Sequence, residues 1–222
     1  LMGPDSARIA VDLGASALNE LGYFASAEIE IIGKRVRATR LSYVGEAGWE
    51  FTCRSEDAVA IYDALYERGA RPAGTLAQTS MRIEKGYLSY GHDLDTDLNP
   101  LEAGLGFAVA WGSGFVGEEA LLDLRDKPLN ARVVTLTLDD SDAVPLGNEP
   151  VFFDNTIVGK TTSAAYGYRI GRPVAIALLS GDGASLPDST RIEVDVARQR
   201  FAGTVNFKAV FDPAGKVLRG AP

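Results

Sequence analysis

Two carboxylates and three aromatic rings crowd into one short stretch, Ser42-Tyr-Val-Gly-Glu-Ala-Gly-Trp-Glu-Phe-Thr52. A carboxylate offers paired acceptors, and an aromatic face offers stacking or apolar contact. Such an edge suits a flat, nitrogen-rich ring better than a phosphate. Gly45 and Gly48 let the backbone take positive φ or approach a neighbour closely. Read by itself, the stretch is also a tight hairpin with Tyr43 and Trp49 in the core. Composition alone favours that plainer reading.

Other chemistries find less support. The single histidine, His92, has no nucleophile-elbow sequence to complete a Ser–His–acid triad. His92, Asp93, Asp95 and Asp97 lack the glycine and terminal glutamate of a calcium loop, and no metal site is expected. No Gly-x-Gly-x-x-Gly follows a strand, so no dinucleotide site is expected. Cys53, the one cysteine, reads as a strand residue and not a nucleophile.

The chain has 222 residues, 46% hydrophobic and 23% charged, enough for a sizeable core. A net charge of −8 with no basic run argues against a nucleic-acid partner. Its apolar runs are too short to span a bilayer, so no membrane partner is expected. One cysteine excludes an internal disulfide, and a cytoplasmic or mitochondrial-matrix setting is expected. Leu1-Met-Gly-Pro-Asp5 has no basic start followed by an apolar segment. Gly3-Pro4-Asp5-Ser6 reads as the turn before a helix, so the chain is expected to continue a longer polypeptide.

These residues must be positioned by an α+β arrangement. Asp5 or Ser6 caps a first helix that Gly14 ends. From Ala27 the period changes to two, with a hairpin turn expected at Gly33-Lys34. A strand ending at Cys53 and Arg54 leads to a helix over 56–68, with Ala58, Tyr62, Leu65 and Tyr66 on one side. A further helix runs from Thr75 toward Gly86. Residues 87–106 are loop-rich, and loops of this length are often functional. Gly117 to Leu124 makes a short helix. Strands are expected at 133–138, 151–153, 156–159, 174–179, 191–196 and 201–205, forming a small barrel or sandwich. The expected domains are 1–127 and 130–222.

An ordered series of motifs runs through the chain. It comprises Tyr43-Val-Gly-Glu-Ala-Gly-Trp-Glu50, Ser80-Met-Arg-Ile-Glu-Lys-Gly-Tyr87, Tyr90-Gly-His-Asp93, Pro100-Leu-Glu-Ala-Gly-Leu-Gly106 and Phe115-Val-Gly117. Gly147-Asn-Glu-Pro150, Thr162-Ser-Ala-Ala-Tyr-Gly167, Gly171-Arg172 and Phe211-Asp-Pro213 continue it. The series closely resembles the folate-binding aminomethyltransferase family. That family includes the glycine-cleavage T-protein and the carboxy-terminal half of dimethylglycine and sarcosine dehydrogenases. Trp49-Glu50, Glu84-Lys-Gly86 and the Phe-Asp-Pro tail lean toward the dehydrogenase branch.

The resemblance implies part of the folate-binding aminomethyltransferase fold, followed by a small all-β barrel. It implies a tetrahydrofolate cofactor, with Glu50 reading the pterin edge and Tyr43 beside it. The Phe51-Thr52 backbone lines the same wall. Arg82 matches the family's helix arginine, near the site, and Tyr90 lies in a loop bordering the folate channel. The implied activity is one-carbon transfer from a methylated or aminomethyl amine, giving 5,10-methylenetetrahydrofolate. No catalytic residue is carried over, because the family's catalytic aspartate lies upstream of Leu1. FAD is implied only where a flavin domain precedes this segment. Exposed apolar surface is expected where the upstream part of the fold docks.

There are two departures: Gln78 stands where the T-protein has a folate-contacting arginine, and no residue here replaces the family's catalytic aspartate by motif. Tyr87-Leu-Ser-Tyr90 lacks the cysteine of the related iron–sulfur maturation proteins, which disfavours that branch. The alternative is a non-catalytic folate-binding or structural module of a multidomain flavoenzyme.

Overall fold

Alternating residues from Ser26 onward make a three-stranded antiparallel sheet: β1 (Ser26–Ile31), β2 (Lys34–Thr39) and β3 (Glu50–Cys53), in that order. Ile31 pairs with Lys34, so the β1–β2 turn is Ile32-Gly33, one residue earlier than expected. Both turn residues have positive φ, 48° and 73°, which matches the twist of a two-residue hairpin. Ile31, Val36 and Ala38 are buried on the inner face. They pack with Ile9 and Leu13 from around α1 (Ser6–Asp12), with Ile61 and Ala64 of α2 (Ala58–Glu67), and with Leu18. The computed structural model describes residues 1–220. This sheet and its helices form one compact unit, Leu1–Gln78 with the tail from Asp212; the other unit is Thr79–Phe211.

Asp5 occupies the N-cap position of α1 without a side-chain capping bond. In α2 the buried residues are Ile61 and Ala64, while Tyr62 and Tyr66 are about half exposed. The expected inner face was therefore rotated. Nearly every side of this helix carries an apolar residue, so periodicity leaves its phase open. The tyrosine hydroxyls resolve it, because they favour the wet edge of the stripe.

In the second unit, six strands close a barrel: β4 (Ala131–Leu138), β5 (Pro150–Phe153), β6 (Thr156–Gly167), β7 (Arg172–Ser180), β8 (Arg191–Val196) and β9 (Gln199–Asn206). Their order is β4-β7-β6-β5-β8-β9, with β9 returning to β4. All six strands were expected. β6 runs on to Gly167 because a register shift between Thr161 and Ser163 keeps it paired with β7. Leu136, Leu138, Val151, Leu179, Val194 and Val205 fill the interior. Spatial compaction groups residues 79–127 with these strands. Among the described residues no helix is long and apolar enough to cross a membrane. Helix α4 (Glu118–Arg125) buries no residue, and Phe107 and Val116 nearby are exposed apolar side chains.

The end of α3 (Thr75–Glu84) and the loop after it are held by buried polar groups. Glu84 is buried and accepts from the Arg169 and Ile170 amides at 2.8 and 3.2 Å. Arg82 donates to Asp93, to the Ser163 hydroxyl at 2.7 Å and to the Tyr87 carbonyl at 3.1 Å. Asp93 also accepts from the Thr162 and Ser163 hydroxyls, each at 2.6 Å, and from the Ser89 amide at 2.8 Å. Further along, the Asn99 side chain accepts from the Leu101 and Glu102 amides while Glu102 reaches back to Asn99. This reciprocal pairing orders a stretch that lacks regular structure.

Burial raises the Asp93 carboxyl, but the Ser163 and Thr162 hydroxyls, the Ser89 amide and Arg82 outweigh it, and the net direction is down. A lowered folded-state value stabilises the fold above the ordinary aspartate range, and that gain is lost as pH falls through the lowered value. Asp93→Ala strands Arg82 in the interior and should cost about 3–5 kcal/mol in chemical denaturation. Asp93→Asn should flatten the acid limb of stability against pH. Leu136→Ala, by contrast, should cost about 2–5 kcal/mol with no pH dependence.

Candidate functional site

Thr39 pairs with Glu50, so β2 and β3 do form a hairpin. Its connection, Arg40–Trp49, is a long irregular loop instead of the tight turn expected. Gly45 sits at φ 76°. Gly48 has a different reason to be glycine. A Cβ there would lie 2.2 Å from the Leu1 carbonyl oxygen and 2.6 Å from the Met2 Cα. The close approach at Gly48 is thus made by the chain's own Leu1–Met2, and Met2 bridges to Gly48. Trp49 is 2% exposed and donates its indole N–H to the Leu18 carbonyl at 3.2 Å. The plainer reading, core, holds for Trp49. Tyr43 and Glu46 are partly buried.

Alternation along β3 decides which groups can meet a ligand. Phe51 and Cys53 turn inward against the core, while Glu50 and Thr52 are exposed. The register extends this open face across the sheet. Glu50 lies beside Thr39, and Thr39 beside Ser26, with their hydroxyls 2.8 Å apart. Thr52 lies beside Arg37, and Arg37 beside Glu28. Arg37 donates to Glu28 at 2.9 Å and Arg35 at 3.2 Å. The Arg37 hydrogen bond, with Arg35 close by, holds Glu28 below the usual carboxylate range. Among the described residues nothing donates a hydrogen bond to the Glu50 carboxylate.

Glu50, Phe51 and Thr52 are thus brought together on β3, with Tyr43 in the loop before them. For Phe51 the side chain belongs to the core, which leaves its backbone to line a wall. Arg82 and Tyr90 belong to the other unit. There Arg82 is 4% exposed with its guanidinium spent on Asp93, Ser163 and Tyr87, whereas Tyr90 is 71% exposed. His92, Asp95 and Asp97 are solvent-facing or nearly so, and the Asp97 amide donates to Asp95 at 2.9 Å, closing a local turn. The hydroxyl and ion-pair neighbours of Glu50 were not singled out from the sequence. Their signal was the two-residue period of β1 and β2, which fixes the face they share.

Comparison with known proteins gives a consistent answer. The family model described as the GCVT N-terminal domain matches residues 1–113. The glycine cleavage T-protein C-terminal barrel domain matches residues 116–212. The chain is 36% identical to the mitochondrial dimethylglycine dehydrogenase of Homo sapiens, across 79% of this chain and 21% of that protein. It is 34% identical to the mitochondrial sarcosine dehydrogenase of Mus musculus, across 99% and 25%. An aminomethyltransferase of Pseudothermotoga lettingae is 32% identical, across 88% and 54%. The crystal structure of glycine cleavage system aminomethyltransferase T from Bartonella henselae superposes with a TM-score of 0.78 at 25% identity, covering 90% of this chain and 55% of that one. The chain thus spans about half the length of these aminomethyltransferases and about a quarter of the dehydrogenases. With both domain models matched in order, and a closed barrel in the region that the barrel model covers, the chain belongs to the glycine cleavage T-protein family of aminomethyltransferases and related dehydrogenases.

Proposed function

We propose that this chain is the tetrahydrofolate-binding, one-carbon-transfer segment of a protein of the dimethylglycine and sarcosine dehydrogenase type. The parent would bind tetrahydrofolate and a methylated or aminomethyl amine, and would form 5,10-methylenetetrahydrofolate. Holding the folate nitrogens near the carbon to be transferred would supply much of the rate. In the parent, FAD would belong to a further domain. Apolar side chains left exposed at Phe107 and Val116 suit docking of an upstream part of the fold. A cytoplasmic or mitochondrial-matrix setting is part of the same proposal.

The observation that carries the reading is the Glu50 carboxylate, exposed on β3 with no donor among the described residues engaging it. A reduced pterin presents a 2-amino group and a ring N3–H side by side. An ionised carboxylate presents two acceptors at matching spacing, and such charge-assisted pairs are the stronger hydrogen bonds. Tyr43 would add contact beside that edge. Arg82 would act by holding the loop that carries Tyr90, since its own donors are already used.

Calorimetric titration of the intact polypeptide with tetrahydrofolate tests this. Glu50→Gln and Glu50→Ala should each weaken binding at least about tenfold, because a hydrogen bond to a charged group contributes about 1.5–3 kcal/mol. Unchanged affinity in both variants overturns the pterin assignment. Folate binding without conversion of any methylated amine would favour a non-catalytic binding module instead.

A further inference from the structure

The one buried polar side-chain atom without a hydrogen-bond partner among the described residues is Nε of Arg40. Arg40 opens the loop that ends at Trp49 and Glu50, and its guanidinium collects three carbonyls from two separate segments. Nη1 donates to the Leu21 oxygen at 2.7 Å and the Asn19 oxygen at 3.3 Å. Nη2 donates to the Arg219 oxygen at 2.8 Å, across 179 residues of sequence. The guanidinium carbon lies 6.0 Å from the centre of the Trp49 ring, at the outer limit of a cation–π contact. Trp49 is itself anchored to Leu18, in the same 3-10 turn, Ser16–Glu20, that supplies the Asn19 carbonyl. Arg40 and Trp49 therefore bracket one carbonyl-rich corner, and the tail completes it.

The tail is built to reach that corner. The Asp212 carboxylate accepts from the Lys216 amide at 2.7 Å and the Leu218 amide at 3.3 Å. The Gly215 amide donates to the Asp212 carbonyl, and the Arg219 amide donates to Gly215. These bonds coil residues 212–219, bury Leu218 and turn the Arg219 carbonyl toward Arg40. Gly220 then passes the loop closely: a Cβ on it would lie 3.7 Å from the Ala47 Cβ and 3.5 Å from Arg40 Nη2.

We infer that Arg40 is a positioning residue, and that through it the carboxy-terminal tail sets the loop presenting Tyr43 and Glu50. A guanidinium suits this task because its planar fork offers several donors at fixed angles, and a lysine offers only a point charge. Loss of either the guanidinium or the tail's coil frees the same loop. The inference rests on the proposed folate site for its ligand readout, and on the fold alone for its second readout.

The test uses the intact polypeptide with Arg40→Met, Asp212→Ala and the double variant, beside Glu50→Ala. Hydrogen exchange is read peptide by peptide, and tetrahydrofolate affinity is measured in parallel. Arg40→Met and Asp212→Ala should each speed exchange in the peptide spanning residues 40–53, leaving the barrel peptides unchanged. Each should weaken folate binding about tenfold, and the double variant should add little to either, as expected for groups acting through one contact. Unchanged exchange in residues 40–53 of the Asp212→Ala protein overturns the inference. So does full additivity of the two substitutions. Absence of folate binding in the parent protein, or intact binding in Glu50→Ala, instead overturns the proposed function and leaves the exchange result to decide the role of Arg40.

Discussion

A slip of one residue between β2 and β3 would drive Glu50 into the core and Phe51 into water. The chemistry of the open face therefore depends on contacts made on the opposite one. Val36, Ala38 and Phe51 fit against Ile9, Leu18 and Ile61, and that apolar seam holds the register. Trp49 adds a directional lock, since its indole N–H meets the Leu18 carbonyl only in this alignment. The exposed Glu50 carboxylate accepts no hydrogen bond from the described residues. It stands where the hydrophobic face of the same strand leaves it.

The second unit follows a related rule with charge in place of oil. Asp93 and Arg82 are both buried, and desolvating them is expensive unless their hydrogen-bonding groups are met. Two hydroxyls from β6, a loop amide and the guanidinium meet the Asp93 carboxylate. The bulge between Thr161 and Ser163 matters here. It lets neighbouring residues, Thr162 and Ser163, both turn their hydroxyls to one oxygen, which a regular strand would aim at opposite faces. An otherwise irregular loop is thereby fixed at Asp93 while Tyr90, three residues earlier, stays in solvent.

What was legible in the sequence divides along the same physical line. Alternation in Glu28-Ile29-Glu30-Ile31 and the strand runs of the barrel are local signals, and the strands among the described residues follow from residues close in sequence except the far half of β6. The family motifs singled out Glu50, and the alternation of β3 accounts for its outward face. The inward face of α2 was not legible, because apolar residues surround that helix and only tertiary packing chooses among them. The resemblance singled out Arg82 without indicating what its guanidinium engages. Its partner Ser163 lies 81 positions away, and no local pattern announces that pairing. The engagement of Arg40 with the tail is of the same kind: long-range, made to a backbone carbonyl, and so independent of the side chain at position 219.

Exposure cuts two ways for Glu50. A carboxylate in open water is already well hydrogen-bonded, so exchanging water for a ligand's N–H groups yields only a small net gain. The same pair under a cover discriminates strongly, because a ligand lacking either donor leaves a buried acceptor unmet. If Glu50 reads a pterin edge, something must cover the open face of β1, β2 and β3 when the ligand is in place. The row of Ser26, Thr39 and the Glu28–Arg37 pair is suited to lie under such a cover, since its groups already satisfy one another. Glu50, which accepts no hydrogen bond from the described residues, is a group on that face whose energetics covering would change.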